Sequence, residues 1–442
     1  EVAGADLFKR YMMLEDRLVK NLPGWETELD EMGRPSILVD HEHSSGIGAT
    51  LMASAHWRCV WFDAIAAVFV HDSYAAVVQK DTVDFAARHF RPDPSVESRE
   101  IPELSALGKA YRNYVQVLAQ VRGDLARPLV WLGLADAHRI LERDPESFIG
   151  WKIRGQTELN RELVTVPNPR FSASYDPVHD LSLVRATYAL RRALEQDPDD
   201  FLTLMDLKRA YDFRLMNEAA LPLSDRLVSV YPKNKIQGQV QAITQSERGE
   251  YEKKLGPAPP TTWQNLSELD QIVTEQLATG RAESAARLLE RANPPERASW
   301  EVIDRIATLR LHLGEPGLAR ALWLKATSVP QPAIRDARVG TTYLVEGDFK
   351  AARRYYWQSL QAKPDLFEAR YSLAVLEQDA GDATAAYEQA SKAMEFAPDA
   401  PAARTASRTI ASGVARFARR SGNAATEDRR ENPDRVLPAR LP

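Results

Sequence analysis

The stretch best equipped for chemistry is DHEHSSGIG, Asp40 to Gly48. Imidazoles and carboxylates at this density are the residue types that ligate zinc. In an extended segment alternate side chains share a face, so His41 and His43 would converge, with Asp40 and Glu42 on the other side. The residues supply no assignable third ligand. The favoured reading is a polar strand end and a helix start, with Ser44 or Ser45 capping GIGATLMASA. No metal and no cofactor is therefore expected, and His41 and His43 stand as the weak metal candidates. Gly46 and Gly48 lack the full phosphate-binding fingerprint. The single cysteine, Cys59, excludes an intrachain disulfide or a cysteine-based zinc site. It lies in an apolar run, where a buried, inert thiol is expected rather than a nucleophile. No nucleophile elbow, Walker motif or HExxH occurs. The remaining carboxylates are scattered on helix surfaces and at Asp-Pro junctions such as Asp144-Pro145 and Asp197-Pro198, so no catalytic residue is assigned.

Bulk composition narrows the class. The chain has 442 residues, 57 basic and 62 acidic, for a net charge of -5. That near balance lacks the basic footprint of a nucleic-acid binder, and the length suits two or three domains. The longest apolar run, Ala64 to Val70, falls far short of the roughly 18 residues a spanning helix needs. The sequence opens at Glu1 with no methionine and no basic-then-apolar leader, which reads as a processed or excised segment.

The elements that would position any site are repeated helices. Gly280, Gly314, Gly347 and Gly381 are spaced 34, 33 and 34 residues apart, and Pro330, Pro364 and Pro398 are 34 apart twice over. Such a period, with a glycine in mid-unit and a proline at its end, describes two antiparallel helices per unit. Glycine permits the tight turn, and proline starts the next unit. The segment Ala333 to Pro364 resembles a tetratricopeptide repeat at Gly340, Tyr343, Gly347, Ala352, Tyr356 and Pro364. Phe367 to Pro398 repeats the likeness through Leu373, Ala374, Gly381, Ala386, Ala393 and Pro398. Weaker units run from Ser267 to Ala292 and from Trp300 to Pro330.

The middle of the chain repeats less evenly. Pro198 and Pro232 are again 34 apart, and Leu207 to Tyr211 with Ala220 fits the unit between them. Trp151 and Gly155 match a unit whose two helices are separated by an insertion near 163–179, rich in helix-breaking residues. Leu107 to Tyr111 matches a first helix, with Pro128 to Glu142 as its partner. The expected division is a small α/β domain at 1–95, irregular repeats at 101–254, and a C-terminal array with a capping helix at 264–420. The proline-rich Lys253 to Trp263 is expected to be either a boundary between the arrays or a loop across which the stacking continues, and 421–442, poor in apolar residues, is expected to be disordered.

Ahead of the repeats, helices at Ala5 to Asn21 and Trp25 to Met32 precede Ile37-Leu38-Val39, whose consecutive apolars fit a strand buried on both faces. Trp57 to Asp63 and Ile65 to His71 fit a hairpin turning near Asp63-Ala64, which needs a layer packed on its face. The order, carried by Trp57, Val60, Trp61, Asp63, Ala67, Phe69 and Val70, resembles the soluble tails of bacterial multi-pass membrane glycosyltransferase-like proteins related to protein mannosyltransferases. The resemblance covers about the first 75 residues. It implies spanning helices and catalytic acidic residues upstream of Glu1, and a periplasmic location.

The fold expected is mainly α, a tetratricopeptide-like superhelix preceded by a small α/β domain with a β-hairpin. Stacked hairpins form a concave face lined by the first helix of each unit. Projecting the tetratricopeptide groove onto this chain gives Asp270, Thr274, Asp304, Thr308, His312, Thr341, Tyr371, Val375 and Gln378, a mildly acidic lining suited to an extended protein or peptide partner. The expected function is a non-catalytic binding scaffold, tethered to a membrane through a segment upstream of Glu1. The alternatives are an accessory tail of a lipid-linked-sugar glycosyltransferase and a free cytoplasmic scaffold.

Overall fold

The computed structural model describes residues 2–165, 175–230, 237–293, 298–326, 329–397 and 401–418. Most of the expected insertion, together with Pro232, Pro398 and the tail at 421–442, lies outside the described residues. The chain divides into two compact units, 1–145 and 146–442.

The first unit holds α1 (Val2–Val19), α2 (Trp25–Glu31), β1 (Ile37–Asp40), α3 (Ser45–Ala53), β2 (Trp57–Phe62), β3 (Ala66–His71), α4 (Ala75–Asp81), α5 (Phe85–Phe90), α6 (Ile101–Val121) and α7 (Gly123–Arg143). The strands form one antiparallel sheet in the order β1-β3-β2. Between Cys59 and Trp61 the β2 register shifts. Such a bulge inverts the alternation beyond it, so Trp57, Cys59 and Phe62 point inward while Trp61 points out. Helix α3 packs on all three strands and on α6. The other sheet face carries Leu38 and Trp61, both exposed. Burial of β1 on both faces, expected from Ile37-Leu38-Val39, is thus incorrect: Val39 is buried and Leu38 is 73% exposed. The strand pairs only with β3, in an antiparallel ladder covered on one side, and such a sheet buries alternate residues. Cys59 is buried, and burial raises its thiol pKa to about 12.

The α6–α7 hairpin, read from sequence as the first repeat of a second domain, belongs to this unit. Gly48 makes its junction with α3 possible, because a Cβ there would meet the Tyr114 hydroxyl at 2.1 Å and its Cζ at 2.6 Å. Tyr114 is fully buried, and its hydroxyl has no hydrogen-bond partner among the described residues. A buried, unsatisfied hydroxyl costs free energy. Tyr114→Phe is therefore expected to leave the melting temperature of this unit unchanged or raise it. Gly48→Ala is expected to lower it, and less so in the Tyr114→Phe background. A lower melting temperature for Tyr114→Phe alone would show that the hydroxyl is satisfied.

The second unit begins with α8 (Phe148–Thr165), α9 (Pro177–Gln196), α10 (Phe201–Asp212), α11 (Asn217–Val230) and α12 (Gln237–Leu255). It continues with α13 (Leu266–Ala278), α14 (Ala282–Ala292), α15 (Trp300–His312), α16 (Pro316–Lys325), α17 (Pro332–Glu346), α18 (Phe349–Ala362), α19 (Phe367–Asp379), α20 (Ala383–Phe396) and α21 (Pro401–Val414). Consecutive helices from α13 to α21 pack pairwise into a tetratricopeptide-like stack. Gly280, Gly314, Gly347 and Gly381 take positive φ of 82°, 80°, 95° and 77° at the turns inside the four pairs, a conformation costly for any residue with a Cβ. Gly340 lies against the Tyr356 ring, to which a Cβ would approach within 3.0 Å. Tyr356, Ala352 and Ala386 are fully buried, Tyr343 stacks on Tyr355, and the carbonyl of exposed Pro364 accepts from Arg370. Residues on both sides of the Lys253 to Trp263 segment belong to this one compact unit. There Arg281 donates to the carbonyls of Leu255, Gly256 and Pro257.

Candidate functional site

The concave face of the C-terminal stack is the surface expected to carry function, and the chain itself occupies most of it. Helix α9 packs on α15, α17, α19 and α21, with α8 laid against its other side. Of its 20 residues, 12 are buried, more than the single stripe a surface helix hides. Opposite it, 11 of the 13 residues of α19 are buried.

The projected groove residues divide accordingly. Thr308, His312, Thr341, Tyr371, Val375 and Gln378 are buried, so their assignment to an open groove is corrected: Thr341 turns into its own hairpin, and α9 packs on the helices that carry the other five. The His312 ring sits 3.5 Å from the Asp180 carboxylate of α9. Burial, assisted by nearby Arg214, lowers the His312 pKa and favours the neutral imidazole. The Thr341 hydroxyl is shared between the Ala337 carbonyl and the Tyr356 hydroxyl. Asp304 is half-buried and accepts from the Trp323 indole at 2.8 Å. Only Asp270 and Thr274, on α13, are exposed, and Asp270 pairs with Arg305 of α15 at 2.9 Å.

Polar groups from the middle segment meet the ends of the first helices one after another. Asn217, opening α11, donates to the Thr279 carbonyl at the end of α13 at 2.9 Å. Arg191 of α9 donates to the Leu313 carbonyl after α15 at 2.7 Å. Arg154 of α8 donates to the carbonyls of Leu344, Val345 and Glu346 closing α17, at 3.3, 2.7 and 3.1 Å. The last carbonyls of a helix lack intrahelical partners and carry partial negative charge, so cationic donors suit them. Burial, with Arg185 close by, lowers the Arg154 pKa to about 10.

At the end of α19 the docking becomes ionic. Asp379 accepts from Arg161 of α8 at 2.5 Å and from Arg185 of α9 at 2.7 Å, and Arg185 also reaches Glu158 at 2.8 Å. All four side chains are at most 9% exposed. Burial would raise the Asp379 pKa, but the two guanidinium groups outweigh it and hold the carboxyl below its usual range. This cluster was not singled out from sequence. Its one local signal is an arginine inside the apolar run LSLVRATYAL of α9.

The weak metal candidates do not come together. Strand β1 ends at Asp40 and the chain turns through 41–43, so the alternation that would have aligned them stops. His41 is buried against Phe62 and Tyr114, with Nε2 3.0 Å from the Asp63 carbonyl. His43 is exposed and bonds Asp40 at 2.7 Å. Burial lowers the His41 pKa, while the Asp40 hydrogen bond raises that of His43.

No family model and no curated protein matches the chain. Among solved structures it is similar to YrrB, described as a TPR protein with an unusual peptide-binding site, at 17% identity and a TM-score of 0.24. That match covers 50% of this chain and 100% of YrrB. It is also similar to the APC/C hetero-tetramer Cut9-Hcn1 at 13% identity and a TM-score of 0.28, covering 74% of this chain and 55% of that one. The P58(IPK) TPR domain matches at 12% identity and a TM-score of 0.23, covering 71% and 99%. Stacked hairpins with glycine turns make the fold of α13 to α21 tetratricopeptide-like. Among the described residues no helix is long and apolar enough to cross a membrane.

Proposed function

We propose that the chain is a non-catalytic scaffold that binds a protein or peptide partner at the open end of its C-terminal stack. The observation that carries this reading is the change in exposure along the first helices: α13 keeps Asp270 and Thr274 in solvent, whereas the rows beyond are sealed by α9. An exposed carboxylate beside a threonine hydroxyl on a curved helical surface suits an extended peptide with basic side chains, since complementary charge steers encounter and sets register. Selection from a displayed peptide library is expected to enrich basic sequences, and Asp270→Lys to abolish the enrichment. Enrichment indifferent to that substitution would place recognition elsewhere, and no enrichment would remove the reading.

The proposal extends to location. The likeness carried by Trp57, Val60, Trp61, Asp63, Ala67, Phe69 and Val70 supports a scaffold held at the extracytoplasmic face of a bacterial membrane, as the tail of a larger protein related to lipid-linked-sugar glycosyltransferases. Coding sequence upstream of Glu1 tests this. A run of apolar helices there agrees with the proposal, and a start codon close to Glu1 would favour a free scaffold instead.

A further inference from the structure

The β2–β3 hairpin closes on three groups that neither the fold nor the proposed function uses. Trp57 pairs with His71 in the ladder, and one step further the Asp72 amide donates to the His56 carbonyl at 2.8 Å. This backbone bond fixes His56 and Asp72 across from each other, with His71 adjoining. The Asp72 carboxylate lies between the two rings, 3.1 Å from His56 Nδ1 through one oxygen and 3.2 Å from His71 Nδ1 through the other. The three donor atoms all lie within 4.8 Å of one another. The rings are near-parallel, with centroids 5.9 Å apart, and Trp57 braces His71 edge-on at 5.6 Å.

The electron pairs give the arrangement its meaning. His71 Nδ1 lies 3.2 Å from the Ser73 amide and 2.9 Å from the Ser73 hydroxyl, so with the ring proton on Nε2 it accepts from them, and an ion would take that lone pair in their place. In that tautomer the Nδ1 lone pair, 3.2 Å from a carboxylate oxygen, is repelled by it unless a proton or a metal cation lies between them. Neutral imidazole and carboxylate are the donors that late first-row divalent ions take up. Tetrahedral zinc, with bonds of about 2.0–2.2 Å, sets its ligands about 3.3 Å apart, close to the distance from each imidazole nitrogen to its nearer Asp72 oxygen, while the three donors lie within 4.8 Å of one another.

We propose that His56, His71 and Asp72 form a binding site for a borderline divalent transition-metal ion such as Zn2+. Three protein donors leave a fourth position for water, as in open rather than structural zinc sites. The His56 and Asp72 side chains are 56% and 40% exposed, which gives an ion a path from solvent. Ligation would tie the open end of the hairpin, so the ion would act on the first unit whatever the second unit binds. The proposal is independent of the scaffold reading.

The test is titration of the full chain, free of any histidine tag, with Co2+ followed by its visible d–d absorption, then back-titration with Zn2+. One equivalent is expected to bind with four-coordinate bands that Zn2+ abolishes. His56→Ala and Asp72→Asn, both at solvent-exposed side chains, are each expected to weaken binding by at least about 10- to 100-fold, the loss that removing a mere outer-shell partner already causes. His43→Ala is expected to change nothing. The absence of saturable binding by the unmodified chain overturns the proposal without reference to any variant. Binding that survives both substitutions, or is lost in His43→Ala, overturns it as well.

Discussion

Asp379→Ala is expected to destabilise the second unit by about 3–5 kcal/mol, the range for breaking a buried charge cluster by removing one member. The substitution leaves Arg161 and Arg185 without the carboxylate that bridges them, in a region where all of these side chains are at most 9% exposed. Because Asp379 closes α19 while the two arginines belong to α8 and α9, the loss falls on the docking of α8–α9. Hydrogen exchange read at the α9 amides is therefore expected to accelerate more than exchange within α17–α18. Replacing Glu158, Arg161, Arg185 and Asp379 together by apolar residues of similar size is expected to cost less than Asp379→Ala alone, since a paired cluster repays little beyond its own desolvation. The pH dependence has a definite sign. The folded pKa of Asp379 is depressed, so its contribution is present above the unfolded value of about 3.9 and is lost as pH falls through the folded pKa. Acid denaturation of the native chain should show that limb, and Asp379→Ala should lack it. An unchanged denaturation curve and unchanged α9 exchange would mean that the charges are not buried as described.

The stack itself was legible in the sequence because its determinants are local. A turn that needs positive φ selects glycine, and four such glycines at nearly constant spacing mark the pairs. What fills the concave face was not legible. From sequence the residues of α9 read only as the second helix of a unit split by an insertion. Only tertiary contact turns Arg185 from a nominal surface charge into a buried partner of Glu158 and Asp379. Projecting groove positions from a repeat pattern assumes an empty groove, and five of the nine projected residues failed on that assumption. The first unit shows the same limit at smaller scale. His41 and His43 looked paired because they are two apart, but the strand stops before them. His56, His71 and Asp72 looked unrelated at a separation of 15 residues, and the register that pairs Trp57 with His71 gathers them. Pairing register is the information a single sequence withholds, since a slip of one residue reverses every side chain.

Gly280→Ala should be the most damaging single-methyl change in the second unit, at a cost of about 2–5 kcal/mol. Two effects add there. A left-handed residue with a Cβ costs roughly 1–2 kcal/mol, and Gly280 sits at φ 82°. The added carbon would also stand 2.1 Å from the Leu215 carbonyl and 2.7 Å from the Asn217 amide. Both are backbone atoms that no rotamer change can move, and overpacking of this kind costs typically 1–3 kcal/mol. The clash lies where the α13–α14 turn docks on the α10–α11 turn, a junction also held by the Glu218 amide on the Gly280 carbonyl at 3.1 Å. Gly256 supplies the internal control. Its φ is 63°, but among the described residues nothing lies within 4 Å of a Cβ built there, so Gly256→Ala is expected to carry only the conformational part of the penalty. The difference between the two variants in urea denaturation isolates the contact between the middle repeats and the C-terminal stack. Equal losses would mean that the α10–α11 turn does not bear on the array, and the enclosure of α9 would then lose its support from that side.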